Sequence, residues 1–345
     1  MKFIELARTF DALEKTAKRL EMTSILAELF RKARAEDIEK TVYLLQGRVR
    51  PAFEGIEIGV GEKFAEQAIA KATGYSLKDV AQLYQKTGDL GLVAEELVKD
   101  KKQRSFSSNE LTISHVYEIY LKMSKASGSG SQDLKIKLLT ELLNNASPLE
   151  ARYIVRIPLG RLGLGVGDST ILDALSFKEK GDKSLRERLE RAFNVTSDIG
   201  LVAKTFYEKG IEGIDHVQMA VNHPLLPALC ERLPSAEEII KKLGKCAVEH
   251  KYDGMRVQIH KRGGNVRIYS RRQEELTHMF PDIARAVKEH VKADEAILDG
   301  EALSYNELTG EYLPFQQTIQ RKRKYDIEKM QKEFPLHVFL FDVMF

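Results

Sequence analysis

The spacing of apolar residues changes once along this chain, and that change limits what it can fold into more than any other feature. Through roughly the first two-thirds, apolar residues recur three and four apart; beyond about Asn222 they alternate, so a helical core has to be followed by a sheet. Leu6, Phe10, Leu13, Ala17 and Leu20 mark one helical face, and Ile25, Leu26, Leu29 and Phe30 continue it after a start signal at Thr23 and Ser24. Ile38, Val42 and Leu45 predict a helix that ends before Gly47 and Pro51. Ser76 with Asp79 predicts a capped helix carrying Val80, Leu83 and Tyr84; Val116, Ile119, Tyr120 and Met123 form a further buried stripe. Ser127 to Ser131 reads as a loop inside the helical region, because Leu134, Leu138, Leu139 and Leu142 resume the helical spacing at once. No internal repeat is evident.

His223-Pro224-Leu225-Leu226-Pro227 and Pro234 punctuate the change of character, and a short helix follows around Glu237 to Leu243. Residues 1–218 therefore read as helical and 219–345 as a separate α+β domain. Within the second, Val257 and Ile259 alternate ahead of a Gly263-Gly264-Asn265 turn and a second strand from Val266 to Tyr269, which makes a β-hairpin. Phe280 to Val291 reads as a helix. Ala296 to Tyr305 reads as a strand interrupted by Asp299-Gly300-Glu301, and Leu336 to Phe345 as a strand rich in apolar residues.

Composition excludes several classes. A chain of 345 residues, 43% hydrophobic and 30% charged, is long enough for two packed domains. Its net charge of +3 means that a nucleic-acid surface has to be a local patch. Cys230 and Cys246 are too few for a disulfide scaffold and form no C-x-x-C pair, and the histidines show no H-E-x-x-H. The N-terminus carries acidic residues where a signal peptide has an apolar core, and no run approaches a membrane span. A reduced, intracellular protein is expected.

Lys251, Asp253, Gly254 and Arg256 form K-x-D-G-x-R just ahead of the hairpin. A lysine amine is a covalent nucleophile when neighbouring cations or burial favour its neutral form, and Lys, Asp and Arg together suit a polyphosphate with its metal ion. Glycine at 254 allows a turn or a close approach to a bound group. The alternative is a solvated strand lysine. Gly160, Gly163, Gly165 and Gly167 surround Arg161 and Leu164 in a segment whose helical surroundings rule out a βαβ dinucleotide fingerprint. Such a segment exposes amides and a guanidinium to phosphates, or is a tight interhelical turn. Glu301 sits on a mostly apolar strand, where an acid without a partner is expected to face a ligand or solvent. The basic runs Lys99 to Phe106 and Arg321 to Lys324 read as solvated, the second with the option of meeting DNA backbone.

The K-x-D-G-x-R pattern resembles the adenylation motif of the covalent nucleotidyltransferases, which include ATP-dependent DNA ligases, RNA ligases and mRNA capping enzymes. The longer string EHKYDGMRVQIH, with Ser270-Arg271-Arg272 after it, is most similar to replicative DNA ligases of the archaeal and eukaryotic type, and departs from them at His250, where an aromatic Tyr is frequent. Pro224-Leu225-Leu226-Pro227-Ala228-Leu229 is similar to the family's segment at the start of the adenylation domain. The resemblance implies an all-α DNA-binding domain at 1–218, then the N-terminal part of a nucleotidyltransferase domain at 219–345. It implies a ligase that seals nicks in duplex DNA during replication, repair and recombination, using ATP and Mg2+.

By the same resemblance, Lys251 would carry AMP, Glu249 would contact the adenine edge, and Arg256 and Glu301 the ribose and nearby phosphate, with Glu301 also a metal ligand. Arg271 would contact the ribose or the DNA 5′-phosphate, Phe341 would stack on the base, and Asp253 would orient Lys251 or organise the metal's waters. Arg161, Gly163 and Gly165 would bind DNA. Gln103 and Phe106 resemble a motif for the sliding clamp (PCNA), with Ser107 where a second aromatic is common. The family's further acidic motif, its Lys-x-Lys motif and its OB-fold domain would lie beyond Phe345, so a piece of a longer, monomeric, cytoplasmic and nucleoid-associated ligase is expected. A DNA- or clamp-binding module without chemistry is a second possibility. An RNA ligase or capping guanylyltransferase is a third, which the long helical N-terminal region disfavours.

Overall fold

A computed structural model describes residues 1–101, 110–323 and 325–345. The clamp-motif residues Gln103 and Phe106, and Lys324 of the basic run, lie outside them. The first helix stops earlier than its apolar spacing suggests: α1 (Phe3–Glu14) and α2 (Arg19–Lys32) are separate. Thr16 closes the turn between them, its hydroxyl accepting from the Lys18 amide at 3.1 Å and donating to the Glu21 carboxylate at 2.7 Å. Thr23 and Ser24, expected to start the second helix, lie inside it. Their hydroxyls donate back to the Arg19 and Leu20 carbonyls at 2.9 and 3.1 Å, the bond such residues make when a helix continues through them. Leu20, expected on the buried stripe, is 65% exposed.

The helical unit continues through α3 (Ala35–Leu45), α4 (Glu62–Thr73), α5 (Leu77–Thr87), α6 (Leu90–Lys99), α7 (Ile113–Lys125), α8 (Ser131–Asn145), α9 (Pro148–Arg156), α10 (Asp168–Lys180), α11 (Arg186–Thr196) and α12 (Ile199–Asp215). Ser76 and Asp79 cap α5 reciprocally, as their spacing predicts. Ser147 and Glu150 do the same for α9, whose first residue is Pro148. The stripes on α3 and α7 are buried, whereas Leu134 is 43% exposed and leaves the α8 stripe to Leu138, Leu139 and Leu142. Arg152 and Arg156 on α9 reach Asp11 and Glu14 on α1, Asp89 ahead of α6 and Glu95 within it. Arginines this far from water need such partners, so α9 is tied to two neighbours by charge as well as by packing.

Met1–Phe193 with Asp198–Val217 form one compact unit, and Asn194–Ser197 with Gln218–Phe345 form another. No helix among the described residues is long and apolar enough to cross a membrane. The second unit holds α13 (Ala236–Leu243) and a four-stranded antiparallel sheet of order β2-β1-β3-β4, with β1 at Met255–Arg262, β2 at Asn265–Ser270, β3 at Glu295–Ser304 and β4 at Leu336–Val343. Because side chains alternate along a strand, Met255, Val257 and Ile259 share one face with Ile268, Leu298 and Ala302. That face packs on Ile283, Ala284 and Val287 of α14 (Pro281–His290) and on Phe280. Truncating the fully buried Phe280 would cost about 3–5 kcal/mol.

Asp299-Gly300-Glu301 does not interrupt β3; the strand runs through, and only its register against β4 shifts between Asp299 and Gly300. A side chain at Gly300 would meet the Phe339 carbonyl at 2.6 Å, so glycine is what lets β4 approach there. Arg321, expected on a solvated face, is 1% exposed. It donates to both oxygens of Asp282 at 2.8 and 2.7 Å and lies 5.6 Å from the Phe280 ring centroid, partners that make burial of one guanidinium tolerable.

Candidate active site

The sheet face opposite α14 carries the polar residues. Arg256 lies directly across from Glu301 in the β1–β3 register, and Glu301 directly across from Phe339 in the β3–β4 register, so the three share that face. Arg256 grips Asp299 through two bonds, Nε to Oδ1 at 3.0 Å and Nη2 to Oδ2. Asp299 is 1% exposed, and its hydrogen bond keeps the guanidinium charged. The guanidinium carbon stands 5.8 Å from the ring centroid of Phe341, which is 40% exposed.

Residues 250–253 reach this face without belonging to a helix or strand. Gly254 is half-buried, and a Cβ there would meet the Ala302 carbonyl at 2.5 Å and Leu303 at 2.7 Å. The glycine therefore lets the chain approach β3, and it does so without a positive φ. Its amide donates to the Glu301 carboxylate. Burial pushes Glu301 above the usual carboxylate range, opposed by that amide and then by the charges of Lys251 and Arg256. Lys251 is exposed and within electrostatic reach of Glu301. Asp253 accepts a long bond, 3.4 Å, from the Phe315 amide.

Lys251, Arg256, Glu301 and Phe341 are thus brought into one neighbourhood, linked pairwise through Glu301 and Arg256. Glu249 is exposed in the segment before it, which belongs to no helix or strand. Arg271 is exposed in the turn after β2, whose last residue, Ser270, pairs with Val257. Sequence reasoning missed Asp299 as the partner of Arg256, and also Phe339 and Tyr252, whose rings stack at 4.4 Å and 21°. The signal for Asp299 was present: an acid on an apolar strand needs a cation, and Arg256 is on the neighbouring strand. Among the described residues, no three His, Cys, Asp or Glu side chains are grouped to hold a metal ion.

In the helical unit, Leu162 and Leu164 are buried while Gly163 and Gly165 are exposed at φ +60° and +65°. The α9–α10 connection therefore turns backbone outward. Arg161 is exposed and bonded to the Tyr84 hydroxyl at 3.0 Å and to the Glu62 carboxylate. A second loop, unremarked in the sequence, copies this arrangement. Ile58-Gly59-Val60-Gly61-Glu62 leads into α4 as Leu164-Gly165-Val166-Gly167-Asp168 leads into α10, with Gly59 at φ +68° and the N-cap glycines at −91° and −99°. The two loops border adjoining clefts of about 670 and 330 Å³ that share Gln46, Gly47 and Gly160, and Arg48 and Arg50 line the larger.

Comparison with known proteins agrees with both halves. The family described as "DNA ligase N terminus" matches residues 2–176, and "ATP dependent DNA ligase domain" matches residues 227–345. The chain is 48% identical to the "Probable DNA ligase" of Dictyoglomus turgidum, over 100% of its own length and 58% of that protein's. It is 48% identical to "DNA ligase 2" of Thermofilum pendens, over 99% and 58%, and 43% identical to the "DNA ligase" of Nitrosopumilus maritimus, over 100% and 59%. The chain therefore spans less than three-fifths of the length of these curated relatives.

Proposed function

This chain belongs to the ATP-dependent DNA ligase family, and on that premise we propose that it serves nick sealing in duplex DNA, with Lys251 as the amine that takes up adenylate. One observation carries the reading: Lys251 stands within electrostatic reach of Glu301, which lies across from Arg256, which in turn faces Phe341. The amine attacks the α-phosphorus of ATP; a P–N bond forms as the bond to the β-phosphate breaks, pyrophosphate leaves, and the amine gives up a proton. AMP then passes to the 5′-phosphate at a nick and is displaced by the 3′-hydroxyl.

Arg256 and Glu301 address the ribose and nearby phosphate, Glu249 the adenine edge, Phe341 the adenine face, and Arg271 the ribose or the DNA 5′-phosphate. The pair with Asp299 supports the first of these, because it holds the guanidinium rigid before any nucleotide arrives. A magnesium ion suits Glu301, whose carboxylate lacks enough cationic charge to offset its burial. Such an ion would take most of its remaining oxygens from the nucleotide phosphates and water, and would neutralise phosphate charge.

Duplex DNA would be met by the paired glycine loops, whose exposed backbone admits phosphates closely, with Arg48 and Arg50 supplying charge and Arg161 beside them. Gln103 and Phe106 remain candidates for sliding-clamp binding; unchanged clamp affinity after Phe106→Ala would remove them. The central test is incubation with α-labelled ATP followed by mass spectrometry. A single AMP adduct on Lys251, lost in Lys251→Ala, is expected; label that persists in the variant overturns the assignment.

A further inference from the structure

We propose that Tyr252 is a positioning residue for the Lys251 amine: its ring, seated on Phe339, holds the preceding residue beside Glu301. The inference rests on the reading of Lys251 just given. Residues 250–253 have no strand partner, and residues 241–250 are exposed throughout, so no hydrogen-bond ladder fixes Lys251. From Gly254 onward the chain is held, by the hydrogen bond that the Gly254 amide donates to Glu301 and by the tight approach to Ala302. On the near side, Asp253 accepts its long bond from the Phe315 amide, and the Tyr252 ring anchors the segment to the sheet, stacked on Phe339 at 4.4 Å with the planes 21° apart. Phe339 is braced in turn by Tyr312, edge-on at 5.4 Å and 70°.

Register makes the stack specific. Phe339 pairs directly with Glu301, so a ring resting on Phe339 sets residue 252 over that strand pair at the level of the carboxylate. Lys251 is one residue away, and its charge acts on Glu301. Without the ring, the amine would search a larger volume, and a reaction that needs near-attack geometry would slow. A stacked aromatic pair biases a flexible segment by roughly three- to tenfold, which sets the scale of the effect.

Two measurements test this. In the first, covalent AMP labelling is followed at saturating and at limiting ATP. Tyr252→Ala and Phe339→Ala should each lower the saturated rate about tenfold with little change in the ATP concentration for half-saturation, and Tyr252→Phe should restore most of it. Tyr252→Ala at the wild-type rate overturns the proposal. The second needs no catalysis: lysines are reductively methylated with 13C-formaldehyde, and the Lys251 signal is assigned by its loss in Lys251→Arg. Glu301→Gln should shift that signal in the wild-type background but not with Tyr252→Ala. An equal shift in both backgrounds also overturns it. If the wild-type chain takes no AMP label, the functional reading fails, while the methyl signal still decides whether Tyr252 places the amine.

Discussion

Arg256 and Asp299, on neighbouring antiparallel strands, form a two-point ion pair in which the aspartate side chain is 2% exposed and the arginine side chain 31%. The two partners are therefore unequal. Arginine retains contact with water; among the described residues, aspartate has arginine alone as a counter-charge at hydrogen-bonding distance.

Removing each partner should show that asymmetry. Arg256→Ala strands a buried carboxylate and is expected to cost about 3–5 kcal/mol, whereas Asp299→Asn leaves a cation that water can reach and should cost about 1–2 kcal/mol. Urea unfolding of the two variants measures both. Equal costs would mean that Asp299 finds water that its burial denies it.

Glu301 should trade stability for function. Its carboxyl is held above the ordinary range by burial, so the folded state binds the proton more tightly than the unfolded chain does. That contribution is complete below the unfolded value and is lost as pH rises through the folded one. Glu301→Gln should therefore melt higher than wild type at pH 7.5 and no higher at pH 3.5, while labelling by ATP is lost. A melting difference independent of pH contradicts the account.

His260 should make stability fall in mild acid. It is fully buried, with Nδ1 accepting from the Asn222 amide at 2.9 Å and Nε2 donating to Gln258 at 3.0 Å. Burial, then the charges of His223 and Arg267, push it down to about 3. The neutral ring is favoured in the folded state, so stability present above about pH 6.5 is lost as pH falls towards 3, at up to about 1.4 kcal/mol per pH unit. His260→Gln should be less stable at pH 7 yet show a shallower decline between pH 6.5 and 4. A parallel decline would place the acid sensitivity elsewhere.

The two glycine loops should behave as a pair. Gly59→Ala and Gly165→Ala each force a side chain into a left-handed backbone position and should cost about 1 kcal/mol apiece. Arg48→Ala combined with Arg50→Ala should weaken nicked-duplex binding and reduce its salt dependence by about one to two counterions. An unchanged salt slope would exclude this cleft as the phosphate contact.

What the sequence determined on its own was whatever short-range physics decides. The stripes on α3 and α7, the reciprocal cap of Ser76 and Asp79, the helix at 281–290 and the hairpin after Lys251 depend on residues within a few positions of one another. The turn at Thr16 belongs to the same class but was hidden, because Leu13, Ala17 and Leu20 keep helical spacing straight across it. Only the tertiary structure decided the rest. Whether Asp299 faces water or Arg256, whether Arg321 is solvated or buried on Asp282, and which ring supports Tyr252 all turn on register between strands and packing against distant helices. The likeness of Ile58–Glu62 to Leu164–Asp168 is five residues long and became visible only when both loops showed the same backbone angles. A local pattern states what a residue can do; its partner is set by contacts that form only when the chain has closed on itself.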